Sequence, residues 1–293
     1  MLIVGCGDVV RRALPALTRR WRVYALVRAF DPSLRALGVT QVCGDLDRPA
    51  TLQRLAGLAH VVLHSAPPPN SGTGDPRTQR LLAALTSAAS LPRRLVYIST
   101  TGVYGDCAGA TVPETRPLAA ISARAQRRVA AERALRKLGR QGAMRVSLLR
   151  APGIYAAERM PLERIRRGDP VLLAAEDVYT NHIHAEDLAQ ACVVALQRGG
   201  ANRAYNISDD SDLPMGEWFD RLADAFGLPR PPRATREEVK TRLSPQLLSF
   251  MGESRRLENV RMKRELKLQL RYPTVNAGIA AALQQQGTPS CSG

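Results

Sequence analysis

Short apolar runs alternate with longer helix-like stretches through the first two thirds of the chain. The apolar runs are rich in strand-forming residues and cover 2–4, 22–27, 39–43, 61–64, 95–99 and 145–149, with one more at 203–207. Helix-like stretches lie between them at about 9–20, 50–57, 76–90 and 119–140. Nearly all-apolar strands separated by helices are typical of a parallel sheet covered on both faces. With right-handed crossovers, the pattern predicts a doubly wound α/β sheet.

The organisation changes after about residue 150, where proline, glycine and charged residues become denser and the segments shorten. Helix-like segments at 214–226 and 235–250, together with the stretch 254–270, predict a smaller C-terminal lobe. We expect a large domain over 1–155, with its sheet completed by about 203–207. The lobe takes 156–202 and 208–283, and 284–293 is a disordered tail. A cleft between the two parts is the natural place for a substrate.

A glycine-rich segment follows the first strand and opens the first helix. It reads Gly5-Cys6-Gly7-Asp8-Val9-Val10. In the G-x-G-x-x-G pattern, the first glycine allows a tight turn and the second lets a pyrophosphate approach the helix N-terminus. Val10 stands where the pattern has glycine or alanine, a position that governs helix–strand packing. The segment predicts a dinucleotide-binding domain of the Rossmann type, and a plain glycine-rich turn is the alternative.

The end of the second strand bears on the choice of cofactor. An acidic residue there would bind the ribose hydroxyls of NAD, but the sequence has Val27-Arg28. An arginine can stack on adenine and pair with a 2′-phosphate, and Arg11 and Arg12 lie close by in the first helix. NADP(H) is therefore favoured and NAD(H) stays possible. In the other interpretation, Arg28 only ends a strand in solvent.

Composition narrows the functional classes. The net charge is +16 and all but four of the 42 basic residues are arginine, but aromatic residues are only 4% and no finger or basic arm is present. Nucleic-acid binding is not favoured, and an anionic small molecule fits the charge equally well. Without a membrane-length apolar run or a signal peptide, we expect a cytoplasmic protein. The five cysteines lack C-x-x-C spacing, so we expect reduced thiols and no metal site.

In its order of motifs the chain resembles the extended short-chain dehydrogenases/reductases of the NAD-dependent epimerase/dehydratase group, as an atypical member. The segments that carry the resemblance, beyond the glycine loop, are Gly44-Asp45-Leu46, His64-Ser65-Ala66-Pro67, Tyr97-Ile98-Ser99-Thr100-Thr101-Gly102-Val103-Tyr104-Gly105, Arg150-Ala151-Pro152-Gly153-Ile154-Tyr155, Asn181-His182-Ile183-His184-Ala185-Glu186-Asp187-Leu188-Ala189, Tyr205-Asn206-Ile207-Ser208 and Leu270-Arg271-Tyr272-Pro273-Thr274. The resemblance implies cofactor contacts from the loop after each strand. Beyond the glycine loop and Arg28, these contacts are Asp45, Leu46, Ser65, Ala66, Pro67, Ser99, Arg128, Ala151, Pro152 and Gly153.

The chain departs from this family where the family's acid–base chemistry lies. Family enzymes carry Tyr-x-x-x-Lys on the helix after the fifth strand, and aligning Glu132 puts Arg124 and Arg128 at those two positions. A guanidinium cannot act as a general acid or base near neutral pH, although Arg128 could still hold ribose hydroxyls. Thr100 keeps the position that polarises a substrate carbonyl.

Two tyrosines are candidates for the missing acid. Tyr104 and Tyr155 fall on loops expected to rim the cleft, with packing as the alternative for both. Thr100, Tyr104 and Arg128 are therefore the candidate catalytic residues. His182 and His184 share one face of a strand-like segment, which raises the idea of a metal, but no third ligand stands at a suitable spacing. We favour a buried His184 beside the cleft, with Asp187 starting a helix.

Two functions remain open from the sequence. One is an oxidoreductase or epimerase that moves hydride between nicotinamide and a small anionic or sugar-like substrate polarised by Thr100. The other is a non-catalytic NADP(H)-binding sensor or scaffold, since the tyrosine and lysine are missing. The resemblance also implies a possible homodimer through the helices at 77–90 and 119–138.

Overall fold

A seven-stranded parallel sheet forms the centre of the molecule in the computed structural model, which describes residues 1–142 and 144–287. Its strands are β1 Leu2–Val4, β2 Tyr24–Val27, β3 Thr40–Cys43, β4 Val61–His64, β5 Arg94–Thr100, β6 Arg145–Ala151 and β7 Arg203–Asn206. They lie in the order β7-β6-β5-β4-β1-β2-β3, and every neighbouring pair is parallel. The predicted doubly wound α/β fold is confirmed.

Helices connect these strands and build the C-terminal part. Their bounds are α1 Asp8–Thr18, α2 Pro32–Ala36, α3 Pro76–Leu85, α4 Ala123–Arg140, α5 Leu162–Arg166, α6 Ala185–Arg198, α7 Met215–Ala225, α8 Arg236–Arg242, α9 Pro245–Met251 and α10 Val275–Gly287. The stretch predicted at 50–57 is a 3₁₀ helix, Pro49–Leu55. Short two- and three-residue strand pairs, such as Thr111–Val112 with Arg256–Leu257, fix the loops around the sheet.

The structure corrects two sequence-based assignments and divides the stretch 254–270 into short elements. The helix expected at 235–250 is two helices, because the Ser244 side chain caps a new helix and Pro245 occupies its first turn. The stretch 254–270 holds the short strand Arg256–Leu257 and a π-helix, Met262–Leu266. Helix α10 continues through 284–287, where we expected a disordered tail. The rest of that tail, 288–293, lies outside the described residues.

Alternation along the strands divides the core between the two faces of the sheet. Ile3 and Leu63 belong to a cluster with α1 and α6, whereas their neighbours Leu2 and Val62 pack on the other side. That second cluster includes residues of α3 and α4, such as Leu81 and Leu135. Strands buried on both faces explain why the apolar runs were easy to find.

A third apolar cluster lies beyond residue 154 and is built around Trp218, Phe219 and Leu222 of α7. It draws on α5, α8, α9 and α10 as well. The predicted lobe took in all of 156–202, whereas the structure packs α6 against α1 and the sheet. The division of the chain into two domains otherwise stays a prediction. Among the described residues, no helix is both long and apolar enough to cross a membrane.

Candidate functional site

A cavity of about 750 Å³ opens at the carboxyl ends of the first strands. Eight of the residues predicted to bind a cofactor line it, namely Gly5, Cys6, Gly7, Arg28, Asp45, Leu46, Ala66 and Pro67. Arg11, which we placed only nearby, also lines it, and so do Asp31 and Arg77, which the sequence argument missed. Ligands of doubly wound sheets bind at this edge. The cavity is therefore the candidate functional site.

The two glycines of the loop are required for different reasons. Gly5 has φ +90°, and a Cβ atom built on it would lie 2.4 Å from the backbone nitrogen of Ala66. Glycine is therefore required at this position by the backbone conformation and by the close approach of Ala66, whether or not a ligand is bound. Gly7 is the N-cap of α1 at φ −80°, and a Cβ atom there would meet no atom within 4 Å. The space in front of Gly7 is open, as an approaching pyrophosphate requires.

The N-terminus of α1 carries no side-chain cap. The first backbone N–H groups of a helix have no partner within it, and they attract anions together with the helix dipole. The side chains of Val9 and Val10 are buried, so these residues offer only their backbone N–H groups. Asp8 is engaged with Arg12 at 3.1 Å and Arg159 at 3.1 Å. The residues present therefore fit a dinucleotide whose pyrophosphate lies on this helix end.

The basic residues at the outer end of the cavity differ in how they are held. Arg28 is exposed and makes no hydrogen bond or ion pair with any residue in 1–142 or 144–287. Arg11 bonds Ser33 at 2.8 Å and forms an ion pair with Asp31. Arg12 pairs with Asp8 and Glu158 and is not among the residues lining the cavity. The guanidinium of Arg28 therefore has no hydrogen-bond or ion-pair partner among the described residues, whereas that of Arg11 is bound to Asp31 and Ser33.

Asp31 is an acidic residue in the cavity that the sequence argument overlooked. Its side chain caps α2, and hydrogen bonds from Ser33 and Arg11 lower its pKa to about 2. It lies four residues beyond the end of β2, whereas we searched for an acid at the end of the strand itself. A carboxylate at this end of the cavity keeps NAD(H) possible beside NADP(H).

Four predicted residues lie outside the cavity, further along the carboxyl edge of the sheet where β5 and β6 stop, namely Thr100, Ala151, Pro152 and Gly153. Thr100 is the last residue of β5 and pairs in register with Ala151, the last residue of β6. The half-buried Thr100 hydroxyl accepts a hydrogen bond from the N–H of Gly102 at 3.3 Å. Pro152 and Gly153 follow at the same edge, and the N–H of Gly153 donates to the carbonyl of Asn181 at 3.1 Å. These residues lie together at one edge of the sheet, and their roles in catalysis and cofactor binding stay predictions.

Two other predicted contacts are engaged within the protein. The Ser65 hydroxyl bonds the carbonyl of Gly5 and so fixes the glycine loop. The Ser99 hydroxyl is buried and donates to Glu132 at 2.7 Å. Ser99 therefore points into the core, and its side chain is not placed to contact a cofactor.

Arg128 and Arg124 of α4 have separate surroundings. One nitrogen of Arg128 donates to the Tyr97 hydroxyl at 2.8 Å and the Ile98 carbonyl at 3.0 Å, which anchors it at the end of β5. The Arg124 guanidinium lies over the ring of Phe250 in α9, 4.5 Å from its centroid. An arginine thus reaches the end of β5 where the family has its lysine.

Comparison with known proteins agrees with this geometry. The profile of the "NAD dependent epimerase/dehydratase family" matches residues 15–208. The chain belongs to this family. It is also 30% identical over 266 residues to the 2-alkyl-3-oxoalkanoate reductase of Stenotrophomonas maltophilia, covering 80% of this chain and 78% of that protein. A family whose description is NAD-dependent supports a nicotinamide dinucleotide as the cofactor.

Solved structures share the fold along the whole chain. A functionally unknown conserved protein from Silicibacter pomeroyi superposes with a TM-score of 0.81 at 30% identity, over 97% of this chain and 98% of that one. A putative NAD-dependent epimerase/dehydratase from Methylobacillus flagellatus gives 0.73 at 25% identity, over 97% of each chain. Both structures therefore share the fold over nearly all of this chain.

The structure contradicts both tyrosines as residues of the cleft rim. Tyr104 is fully buried, with its hydroxyl donating to Asn206 at 2.6 Å and accepting from Arg150 at 2.8 Å. Tyr155 is 2% exposed and packs against His182, His184 and Trp218. Burial raises the pKa of both phenols. These placements give neither tyrosine access to a substrate, and packing is the role they support.

His182 and His184 both make contacts that hold the fold together. His182 is buried against Trp218, and burial lowers its pKa to about 3. His184 caps α6 by accepting from the N–H of Glu186 at 3.2 Å. Asp187 in the first turn of α6 accepts the N–H groups of Arg271 and Tyr272. This is the arrangement that we favoured, and the described residues contain no cluster of three or more metal-ligating side chains.

The buried Asp209, whose charge acts on the phenol of Tyr155, makes the stability of the protein depend on pH. Its side chain is buried, and burial raises its pKa to about 7, against hydrogen bonds from Ser211 that lower it. Between about pH 4 and pH 7 the folded state therefore holds a proton that the unfolded state has released. We expect the free energy of unfolding to fall by about 4 kcal/mol as pH rises through this window.

Urea unfolding at pH 5 and pH 8 measures this effect. Asp209→Asn, which imitates the protonated acid, should remove most of the difference, whereas Asp212→Asn at an exposed residue nearby should keep it. An equal pH dependence in wild type and Asp209→Asn would contradict the assignment.

Proposed function

We propose that this protein is an NAD(P)-dependent oxidoreductase that reduces the carbonyl of a small oxo acid or oxidises the matching alcohol. The observation that carries the proposal is the cavity where open space at Gly7, the uncapped start of α1 and Arg28 meet. A nicotinamide dinucleotide bound there supplies or accepts hydride. The 30% identical relative named 2-alkyl-3-oxoalkanoate reductase favours an oxo acid over a sugar.

The residues of this chain divide the work between the two ends of the site. The glycine loop and the first turn of α1 hold the pyrophosphate, and Arg28 holds a 2′-phosphate. Arg128 occupies the position of the family's lysine and is anchored on β5 through the Ile98 carbonyl. In that position its guanidinium donates hydrogen bonds to the ribose hydroxyls of the cofactor. Because Thr100 accepts the N–H of Gly102, its own O–H proton is left to donate to a substrate carbonyl oxygen.

Replacement of Thr100 tests the chemical step. Thr100→Val keeps the shape of the side chain but loses the hydroxyl, so we expect kcat for reduction of 3-oxooctanoate with NADPH to fall about a hundredfold. NADPH affinity should stay within about twofold, since the hydroxyl acts on the substrate. The readout is consumption of reduced cofactor, with Thr40→Val at the exposed start of β3 as the matched control. Unchanged turnover in Thr100→Val would remove Thr100 from the reaction.

The cofactor preference rests on Arg28. Arg28→Asp replaces an unpaired cation by a carboxylate, which repels a 2′-phosphate and accepts hydrogen bonds from ribose hydroxyls. We expect NADPH affinity to fall at least about tenfold and NADH affinity to hold or rise. Calorimetric titration of both cofactors measures the ratio, with Arg35→Asp on α2 as the control. An unchanged NADPH affinity would refute the role of Arg28.

A second function is favoured by one observation. Arg124 and Arg128 occupy the tyrosine and lysine positions, and Tyr104 and Tyr155 are both buried away from the site. A protein with the cofactor cavity but no phenolic acid would bind NADP(H) without turning over, as a redox sensor or scaffold. Hydride transfer to any carbonyl substrate separates the two functions, because cofactor binding is common to both. A homodimer through α3 and α4 stays a prediction.

A further inference from the structure

Three arginines without a carboxylate partner lie on one side of α4. Arg124, Arg127 and Arg128 stand at positions i, i+3 and i+4, which share one side of a helix. None of them forms an ion pair with a residue of the described chain. Arg77 and Arg12, by contrast, are paired with Asp47 and Asp8. Positive charge is therefore concentrated where the family has its acid–base pair.

Arg127 is the most enclosed of the three. Its residue is 8% exposed, one terminal nitrogen donates to the carbonyl of Gly72 at 2.8 Å, and its buried Nε has no hydrogen-bond partner among the described residues. A buried guanidinium whose charge is not balanced costs free energy. Gly72 belongs to the loop after β4, so Arg127 lies between that loop and α4. It adds a buried positive charge to this part of α4.

The nearby carboxylates are already used. Glu253 acts on Arg124 through its charge but forms its own ion pair with Arg255. Glu132, in the next turn of α4, is paired with Arg150 in the core. Burial lowers the pKa of Arg124; the charge of Glu253 opposes this, and the charges of Arg128 and Arg127 add to it. An added anion would balance these repelling cations.

The arginines lie beside the proposed reaction centre. A Cβ atom built on Gly102 would be 3.7 Å from the Thr100 hydroxyl oxygen and 3.6 Å from the Cβ of Ala125, the residue after Arg124. Thr100 and the first turn of α4 are thus separated by the width of one residue. On the outer side, Phe250 and Ile121 expose 44% and 73% of their surfaces. Exposed apolar side chains at the rim offer contact area for an alkyl chain.

We propose that Arg124, reinforced by the positive charges of Arg127 and Arg128 beside it on α4, binds the oxyanion group of the substrate and so presents its carbonyl to Thr100. The planar guanidinium fork matches a carboxylate or a phosphate equally well. The inference rests on the proposed function, which it deepens. It assigns to α4 the recognition of an acidic substrate in place of the family's proton transfer.

The test compares an oxo acid with its uncharged ester on the full-length protein. Calorimetric titrations use 3-oxooctanoate, its methyl ester and inorganic phosphate, each with and without saturating NADPH. We expect the wild type to bind the acid at least about tenfold more tightly than the ester. Arg124→Gln should bring this preference below about threefold and leave NADPH affinity within about twofold. Arg133→Gln, on the opposite side of α4, should behave as the wild type.

The outcomes distinguish this inference from the proposed function. Displacement of the oxo acid by phosphate, or tight phosphate binding lost in Arg124→Gln, would support the site and show that it accepts a phosphate group. Equal binding of acid and ester, or an acid preference kept in Arg124→Gln, would overturn the inference even if NADPH binds and the ester is reduced. Failure of NADPH to bind would overturn the proposed function, while titration of the unloaded protein still tests the arginines. The exposed Arg124 carries the test because replacing the buried Arg127 risks misfolding.

Discussion

Gly7→Val should abolish tight binding of NADP(H) while leaving the stability of the protein almost unchanged. Gly7 lies at φ −80°, a conformation open to valine, and its side-chain direction faces empty space. The added methyl groups would stand in the place of the pyrophosphate, on a Cβ atom that meets no protein atom within 4 Å. We expect affinity to fall at least about a hundredfold, equivalent to about 2.7 kcal/mol, in a calorimetric titration.

Gly5→Ala is the matched control and should show the reverse pattern. At φ +90° and 2.4 Å from the Ala66 backbone, the new Cβ atom strains the loop itself. The free energy of unfolding should fall by about 2 kcal/mol or more in urea titration. If Gly7→Val binds the cofactor as the wild type does, the pyrophosphate does not lie on this helix end.

Glu132→Gln should destabilise the protein by about 3–5 kcal/mol. Glu132 and Arg150 are 0% and 2% exposed, with contacts of 3.1 and 2.7 Å between the carboxylate and the guanidinium. Burial alone would lower the pKa of Arg150, and its bonds and charge interaction with Glu132 raise it instead. A neutral amide would leave a buried cation without its counter-charge. Urea unfolding monitored by circular dichroism measures the change.

Glu217→Gln provides the comparison on the surface. Glu217 pairs with Arg221 one turn along α7, and both side chains are at least a third exposed. Because water and salt screen such pairs, we expect a loss below about 1 kcal/mol. Losses of similar size in the two variants would mean that the buried pair is not a main determinant of stability.

The sheet was predictable from the sequence because most of its strands are buried on both faces. The predicted runs 2–4 and 61–64 are β1 and β4 themselves, and the other strands were found with ends that differ by one or two residues. The glycine loop was predictable too, since its position after β1 fixes it at the carboxyl edge of the sheet. Local apolar patterning and the order of elements along the chain were thus enough to predict the fold and the position of the glycine loop.

Side-chain direction could not be predicted in the same way. Tyr104 sits in a family motif at the edge of the sheet, yet Arg150 and Asn206 hold its hydroxyl in the core. Both partners are distant in sequence, at separations of 46 and 102 residues. Asp31 was missed because its place in the cavity depends on how α2 turns back toward Arg11. Contacts between distant residues decide these cases, and a single sequence does not display them.

Titration of the purified protein with NADPH, NADP⁺, NADH and NAD⁺ tests whether the cavity at the start of α1 binds a nicotinamide dinucleotide. Calorimetry, or energy transfer from the protein to the reduced nicotinamide, reports the binding. We expect saturable binding of all four cofactors, with NADP(H) bound more tightly than NAD(H) because of Arg28. No binding of any dinucleotide up to about millimolar concentration, a free energy weaker than about −4 kcal/mol, would contradict it.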